Sequence, residues 1–439
     1  MTESWSNWST GVQAAPKTIA SPVNELELIN IVRQSQATIR VVGSGHSFTP
    51  LCETSDTLLT LDAMQGLVSV NAQAQTATVK AGTKIHALGR PLFDAGFGLK
   101  NQGDIDRQSL AGAVGTGTHG TGPQLGSLSS EVTAFRLVTA SGDLLDCSPI
   151  SNPQIWEAGR VSFGTLGVMS EVTLRVRPTY RLKETNWLIK SDEAWETIPR
   201  LRELHRHFEF FWFPLADAIV AKSLDETDEE VAPPCSSEKM KLRGERVSSD
   251  QRLFEYGCEL ARFLPGASGP LQRLFTRGAM GAVARSRWSH EIFPSARTTR
   301  FNEMEYAVPA ANGIDCLREV GEIIRLNKIS GVFPVEFRYV KGDDIWLSPF
   351  YKRDAVTISV HQYYKQSHEP LFGAVEPIFK RYGGRPHWGK IHSLKVDELS
   401  KLYPHWEDFR VLRQRLDPDA KFLNNYLRGL LGVGYGKAA

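Results

Sequence analysis

The sequence predicts an α+β protein of two domains, and three observations carry that prediction. Its 439 residues exceed what one hydrophobic core usually serves. Up to Pro178 the chain is rich in Gly, Ser, Thr and Val, set out as short strands between tight turns. From Thr179 onward aromatic and charged residues rise, and longer helical stretches alternate with strands. The expected division is residues 1–178, residues 179–405, and a closing segment 406–439 that returns to the first domain.

The elements follow in order. "SPVNELELINIVRQSQ" has apolar residues at helical spacing, with Ser21 as the expected N-cap and Pro22 at the first helical position. "TIRVV" reads as a strand. "LVSVNAQAQTATVKAG" alternates on both sides of a polar turn, which predicts a hairpin. "TKIHALGRPLFDAGFG" is a short helix ending at glycine, and "VTAFRLVTASGDLLDC" is a second hairpin turning at Ser141-Gly142. "GVMSEVTLRVRPTYRL" is the strand that leaves the domain. Beyond it, "SDEAWETIPRLRELHRH" predicts a helix and "FEFFWFP" a strand. Residues 222–300 hold an acidic stretch, "LDETDEE", and the pair Pro233-Pro234; they read as a loop followed by helix. No internal repeat or low-complexity tract interrupts the chain.

Composition removes several classes. Lys plus Arg (51) nearly cancels Asp plus Glu (49), and neither an arginine-rich run nor a Cys/His finger spacing occurs, which excludes a nucleic-acid partner. The five cysteines (Cys52, Cys147, Cys235, Cys258, Cys316) are scattered without CxxC spacing, so thiols in a reducing compartment are expected. The N-terminus lacks a basic start and an apolar core, so no secretory signal is read there. No apolar run reaches the roughly 18 to 20 residues that a membrane helix needs. The expectation is a soluble, cytoplasmic protein with no membrane partner.

Two stretches point to chemistry. "RVVGSGHSFTP", Arg40 to Pro50, surrounds one histidine with glycines and hydroxyls directly after a strand. "SLAGAVGTGTHGTG", Ser109 to Gly122, contains a literal GxGxxG at Gly115, Gly117 and Gly120. A Rossmann reading fails on context: no apolar strand leads in, no amphipathic helix follows, and no acidic residue ends a second strand. The terminal "GVGYGKAA" imitates a P-loop but lacks its Ser/Thr and a following helix. Both glycine-rich stretches offer bare backbone whose N–H groups can form a nest for phosphate. Two nests suit an extended pyrophosphate cofactor; tight turns between strands are the plainer alternative.

With "GSGHS" after a strand, "GxxxTGTHG" in the middle and "SFGTLGVMSEVTLRV" at the exit, the first domain resembles the FAD domain of the vanillyl-alcohol-oxidase-like flavoproteins. "FPVEFRYV", "ISVHQYY", "RPHWGKIH" and "LDPDAKFLNNYLRGLL" narrow the resemblance to the sugar-1,4-lactone oxidase and alditol oxidase group. The resemblance implies an FAD-binding domain followed by a substrate (cap) domain. It implies that His46 is joined covalently to the 8α-methyl of FAD, with Gly43, Ser44, Gly45 and Ser47 passing under the pyrophosphate. It further implies that Gly103, Ser109, Gly112, Thr116, Gly117, Thr118, His119 and Gly120 line the cofactor, and that Gly164, Thr165 and Gly167 complete its cradle. His119 has two readings, as a lining residue and as a prop for the loop.

The substrate side rests on the strand pleat. In "GVFPVEFRYV" Phe333, Val335, Phe337 and Tyr339 share one face while Glu336 and Arg338 share the other. In "TISVHQYY" Thr357, Ser359, His361 and Tyr363 share a face. Two such strands in one sheet would join these polar residues; a salt-bridged, solvent-facing sheet is the alternative. The resemblance in "HWGK" implies that Lys390 lies near the flavin's N1 and C2 carbonyl, where a fixed cation stabilises charge arriving on hydride transfer. Arg338 shares that task or holds a substrate oxygen, and Glu336 or His361 receives the hydroxyl proton. Alditol oxidases place the base-side histidine where this chain has Ser359, so His361 is displaced by one pleat repeat. They carry alanine and serine where this chain has Gly103 and Asp104, which points away from an alditol and suggests a path for O₂. His387 and His392 read as structural or rim residues.

No GxSxG or local Cys/His pairing supports a hydrolase. The histidines of "HRH", His205 and His207, lack a third ligand for a metal. A protein that merely holds flavin would not need Glu336, Arg338, His361 and Lys390 together. The expected activity is FAD-dependent oxidation of a CH–OH group on a sugar-derived 1,4-lactone, of the L-gulono or D-arabinono type, with O₂ reduced to hydrogen peroxide. The alternatives are a polyol (alditol) oxidase and a lactone dehydrogenase with another acceptor.

Overall fold

A computed structural model of the chain describes residues 4–231, 249–278, 284–295 and 298–434. Cys235, Pro233-Pro234 and the last residues of "GVGYGKAA" lie outside them.

The first half is built on two sheets. A three-stranded parallel sheet orders Thr18–Ala20, Thr57–Thr60 and Ile39–Val42. An antiparallel sheet orders Leu144–Cys147, Val132–Val138, Val168–Pro178, Thr76–Lys80 and Leu67–Asn71, with Phe97–Leu99 paired to the end of its central strand. Both expected hairpins are present, and Gly142 takes the left-handed turn at φ +82°. The first helix starts later than the sequence suggests, at Glu25. Asn24 is its cap, its side chain accepting from Glu27 N–H at 2.9 Å, while Glu27 accepts from Val23 N–H at 3.0 Å. This reciprocal pair displaces Ser21 and Pro22 from the helix start.

The second half is an eight-stranded antiparallel sheet among the described residues: Arg285–Trp288, Arg181–Lys190, Ala218–Glu226, His207–Phe213, Val335–Val340, Ala355–Tyr363, Phe301–Pro309 and Arg385–Pro386. One face is apolar. Val335, Phe337, Ile358 and Val360 join the main core, and Gly321 of the helix Gly313–Leu326 lets Trp212 pack against it, since a Cβ there would sit 1.9 Å from the indole. The opposite face is polar and carries the site. Lys222–Glu226 are strand, not the loop that their charge suggested: each pairs in register with the strand Arg181–Lys190, and Ser223 and Leu224 are buried. The described part of 249–278 is two helices, Ser249–Phe263 and Ser268–Gly278.

The closing segment binds the first half. Ile39 N–H donates to Lys421 O at 2.9 Å, and Asn424 Nδ2 donates to Pro50 O and Glu53 O at 2.7 and 2.8 Å. Cys52, Cys147, Cys258 and Cys316 are free thiols. No helix among the described residues is long and apolar enough to cross a membrane.

Candidate active site

Between the two halves lies an open cleft lined by residues of both. One wall is backbone. A Cβ on Gly43 would lie 1.9 Å from Ser109 Oγ, and one on Gly112 2.9 Å from the same atom, so bare Cα atoms let the two glycine-rich segments meet. Gly45 stands at φ +67° and its carbonyl accepts from Trp8 N–H at 2.8 Å. Ser44 Oγ donates to the Arg107 carbonyl, and Ser47 O accepts from Asn7 Nδ2 at 2.9 Å. Phe48 N–H donates to Gly389 O at 2.7 Å and Thr49 Oγ1 to Trp388 O at 3.1 Å. The "GSGHS" loop and the "HWGK" turn therefore form one surface.

His46 is half-buried, 5.9 Å from the Trp8 ring, and makes no hydrogen bond among the described residues. Burial, aided by Lys390 and Lys84, lowers it to about 4, so its imidazole is neutral at physiological pH. Gly43, Ser44, Gly45, His46, Ser47, Gly103, Ser109, Gly112, Thr116, Thr118, His119, Gly164 and Gly167 all face the cleft. Gly117, Gly120 and Thr165, expected to line it, stand behind it instead. Gly117 ends the helix Leu110–Thr116 at φ +79°. A Cβ on Gly120 would meet Asn101 Oδ1 and Gln102 O at 2.4 Å. Thr165 is buried, its Oγ1 donating to Ser162 O at 2.9 Å. These three shape the wall without reaching the cavity.

Gly103 has a packing reason for its bareness, since a Cβ would come 2.9 Å from the His119 carbonyl oxygen. Sequence reasoning missed Arg40. Its buried guanidinium donates to Leu51 O (2.7 Å), Phe163 O (2.8 Å), Gly164 O (3.2 Å) and the Phe422 carbonyl, tying three segments of the cradle. Burial lowers it to about 10, still charged.

The facing wall is the polar side of the eight-stranded sheet. Register sets Glu336 opposite Ser359, Arg338 opposite Thr357, and on the outer neighbours Glu303 opposite His361 and Glu305 opposite Ser359. Arg338 is bound by Glu336 (2.5 Å), Glu209 (2.6 Å) and Asp104 (3.1 Å), and these carboxylates raise it well above its usual value despite burial. Lys222 bonds Glu209 at 2.9 Å and approaches Asp104 at 3.5 Å. Lys390 is bonded to Glu303; burial opposes charge on Glu303, but Lys390 and His361 hold it down at about 2. His361 Nε2 lies 3.5 Å from Glu303 and 3.9 Å from Glu336. Ser359, expected in the site, is behind the surface; its Oγ and the Nδ1 of His361 are enclosed without a hydrogen bond among the described residues. His387, read as structural or rim, lines the cleft at 6% exposure.

Glu303 and Glu305 were also missed, although "FNEMEYAVP" places both on one strand face at period two. Glu209 and Lys222 become visible only through register.

The Cβ-free loops facing a charged sheet fit FAD, and the comparisons define the class: residues 16–148 match an FAD binding domain, so this is an FAD-dependent oxidoreductase. Residues 172–430 match D-arabinono-1,4-lactone oxidase, and the chain belongs to that family. It is 38% identical, over 98% of its length and all of the relative, to L-gulono-1,4-lactone dehydrogenase of Mycobacterium tuberculosis. It is 31% identical over 96% of both chains to L-gulonolactone oxidase of Bos taurus, and 27% identical over 98% of its length, and all of the relative, to alditol oxidase of a Streptomyces species. Its fold matches the crystal structure of cholesterol oxidase from B. sterolicum at a TM-score of 0.82, with 18% identity over 98% of this chain and 96% of that one.

Proposed function

We propose that this chain oxidises a sugar-derived 1,4-lactone of the L-gulono or D-arabinono type at a hydroxyl-bearing carbon, with FAD bound covalently through His46 and O₂ as the acceptor. The observation that carries the reading is the bonded contact between the cradle and the Lys390 turn, which sets a phosphate nest and a charged sheet on one cleft. FAD held here would supply a hydride acceptor for the substrate carbon, and O₂ would take up the two electrons with two protons, one from the transferred hydride and one from the substrate hydroxyl, to give hydrogen peroxide.

The chain's own residues do the rest. Gly43 to Ser47 and Ser109 to Thr118 supply the close backbone approach. Neutral His46 keeps a lone pair for the cofactor bond. Arg338, held by three carboxylates, points donors at substrate oxygens, and the Glu336–His361 pair receives the hydroxyl proton. Lys390, fixed by Glu303, supplies positive charge where negative charge grows. Asp104, tied to Arg338, presents an acceptor where alditol oxidases carry serine.

The test begins with acid precipitation. Flavin absorbance should stay with the washed pellet in the native chain and leave it in His46→Ala. L-gulono- and D-arabinono-1,4-lactone should bleach the flavin anaerobically, and faster than xylitol or sorbitol. Air should restore the colour with formation of hydrogen peroxide. A lactone dehydrogenase is the second reading, supported by the Mycobacterium tuberculosis relative; recolouring by an artificial dye but not by air would select it. A bound flavin that no lactone or alditol bleaches would sink both.

A further inference from the structure

Both ring nitrogens of His119 are committed to acceptors. Nδ1 lies 2.8 Å from the Gly120 carbonyl oxygen, which can only accept, so Nδ1 carries a hydrogen. Nε2 lies 2.6 Å from Glu305 Oε1. An ionised carboxylate also only accepts, so Nε2 carries a hydrogen too.

The remaining question is whether Glu305 is ionised. Its burial opposes charge, but the His119 contact and the Lys390 cation hold it well below the usual carboxylate range, and Arg338 acts on it from two strands away in the same sheet. The groups facing His119 are few. Glu305 comes from the strand Phe301–Pro309, the His387 ring centre is 6.1 Å away, and Phe350 stands edge-on at 5.3 Å. Glu303, Lys390 and Arg338 act on it through Glu305. His387 is itself neutral, since burial lowers it to about 4 and its Nδ1 accepts from Gly389 N–H at 3.1 Å.

We infer that His119 is held as an imidazolium whose charge balances Glu305, so that the cleft wall presents a neutral ion pair, not a lone carboxylate, to the cofactor. The inference rests on the reading that FAD fills this cleft. His119 is then a positioning residue with an electrostatic task. Reduction adds negative charge to the cofactor, and an unbalanced carboxylate in a low-dielectric wall would oppose it. The same pair also ties the cradle segment to the substrate sheet.

Two measurements on the holoprotein decide it. Nitrogen-15 histidine NMR at pH 7.5 should show one ring with both nitrogens protonated, a signal absent in His119→Gln. A neutral-tautomer signal for that ring would overturn the inference, whether or not flavin binds. The second is the flavin midpoint potential. His119→Gln leaves Glu305 unbalanced, and the reduction equilibrium should fall at least about tenfold, which is 29.6 mV for a two-electron couple. The double variant His119→Gln/Glu305→Gln removes both charges and should return toward the native potential. Equal potentials in the native protein and His119→Gln, or a fall that the double variant does not repair, would overturn it. Absence of flavin from the native protein would instead refute the proposed function, with the NMR result still deciding the charge of His119.

Discussion

The two walls of the cleft are made in opposite ways. The cradle works by missing side chains: Gly43 against Ser109, Gly120 against Asn101 and Gln102, Gly167 against Val138. The sheet wall works by charges whose partners come from other strands: Glu209, Asp104 and Glu336 around Arg338, and Glu303 beside Lys390. A missing Cβ is a local property of one residue. A charge arrangement is a property of register and exists only after the sheet has formed. The cradle should therefore fail by losing the cofactor, and the wall by losing the reaction.

The largest expected effect breaks the cradle. In Gly120→Ala the new Cβ meets a backbone oxygen and Asn101 Oδ1 at 2.4 Å, so the segment must move. Flavin retained per folded protein should fall at least about tenfold. Gly373 in the helix Glu369–Arg381 is the control, since nothing lies within 4 Å of its would-be Cβ. Gly373→Ala should keep its flavin and gain about 0.5–1 kcal/mol in stability from helix propensity. Equal flavin in both variants would show that Cβ exclusion does not set the cradle.

From the wall, a loss of turnover with the flavin retained is expected, alongside a loss of stability. Arg338→Met removes the guanidinium that joins Glu209, Glu336 and Asp104, and breaking such a buried pair costs about 3–5 kcal/mol. Lys390→Met leaves Glu303 without its bonded lysine and should slow anaerobic flavin bleaching by roughly a hundredfold or more. Flavin content per folded protein should hold near native in both. A wall variant that folds but loads no flavin would erase the contrast between the two walls.

The same contrast explains what the sequence made legible. Glycines beside hydroxyls announced the cradle because each needs only its own neighbours. Period two made Glu336 and Arg338 visible as a pair, since the pleat is also local. Glu305 and Glu303 carry the same period-two signal, yet their meaning depended on pairing with Ser359 and His361 across the sheet. Lys222 lay in a stretch whose acidic neighbours suggested a loop, and pairing with Arg181–Lys190 overrode that local signal. Arg40 was hidden differently: it sits inside the stretch that announced the site, but its role comes from carbonyls up to 382 residues away.

The smallest effect separates groups within the wall by pH. His387 is neutral and buried, lowered to about 4 from an ordinary 6.5. The unfolded chain therefore binds a proton that the folded one refuses between those values. Stability tied to His387 is fully present above about 6.5 and is lost as pH falls toward about 4. Near pH 5 the loss should be about 1–2 kcal/mol. Glu303 titrates in a lower window. Its carboxyl is held at about 2 against an ordinary 4.5, so its contribution is intact above 4.5 and erodes only below it. Urea midpoints measured from pH 7.5 down to 3 should show both slopes. His387→Asn should flatten the upper one, because asparagine has no proton to gain, and Glu303→Gln should flatten only the lower. If His387→Asn leaves the upper slope unchanged, other histidines set it: His46 in the cleft, lowered to about 4, and outside it His207, lowered to about 3, and His392, lowered to about 4.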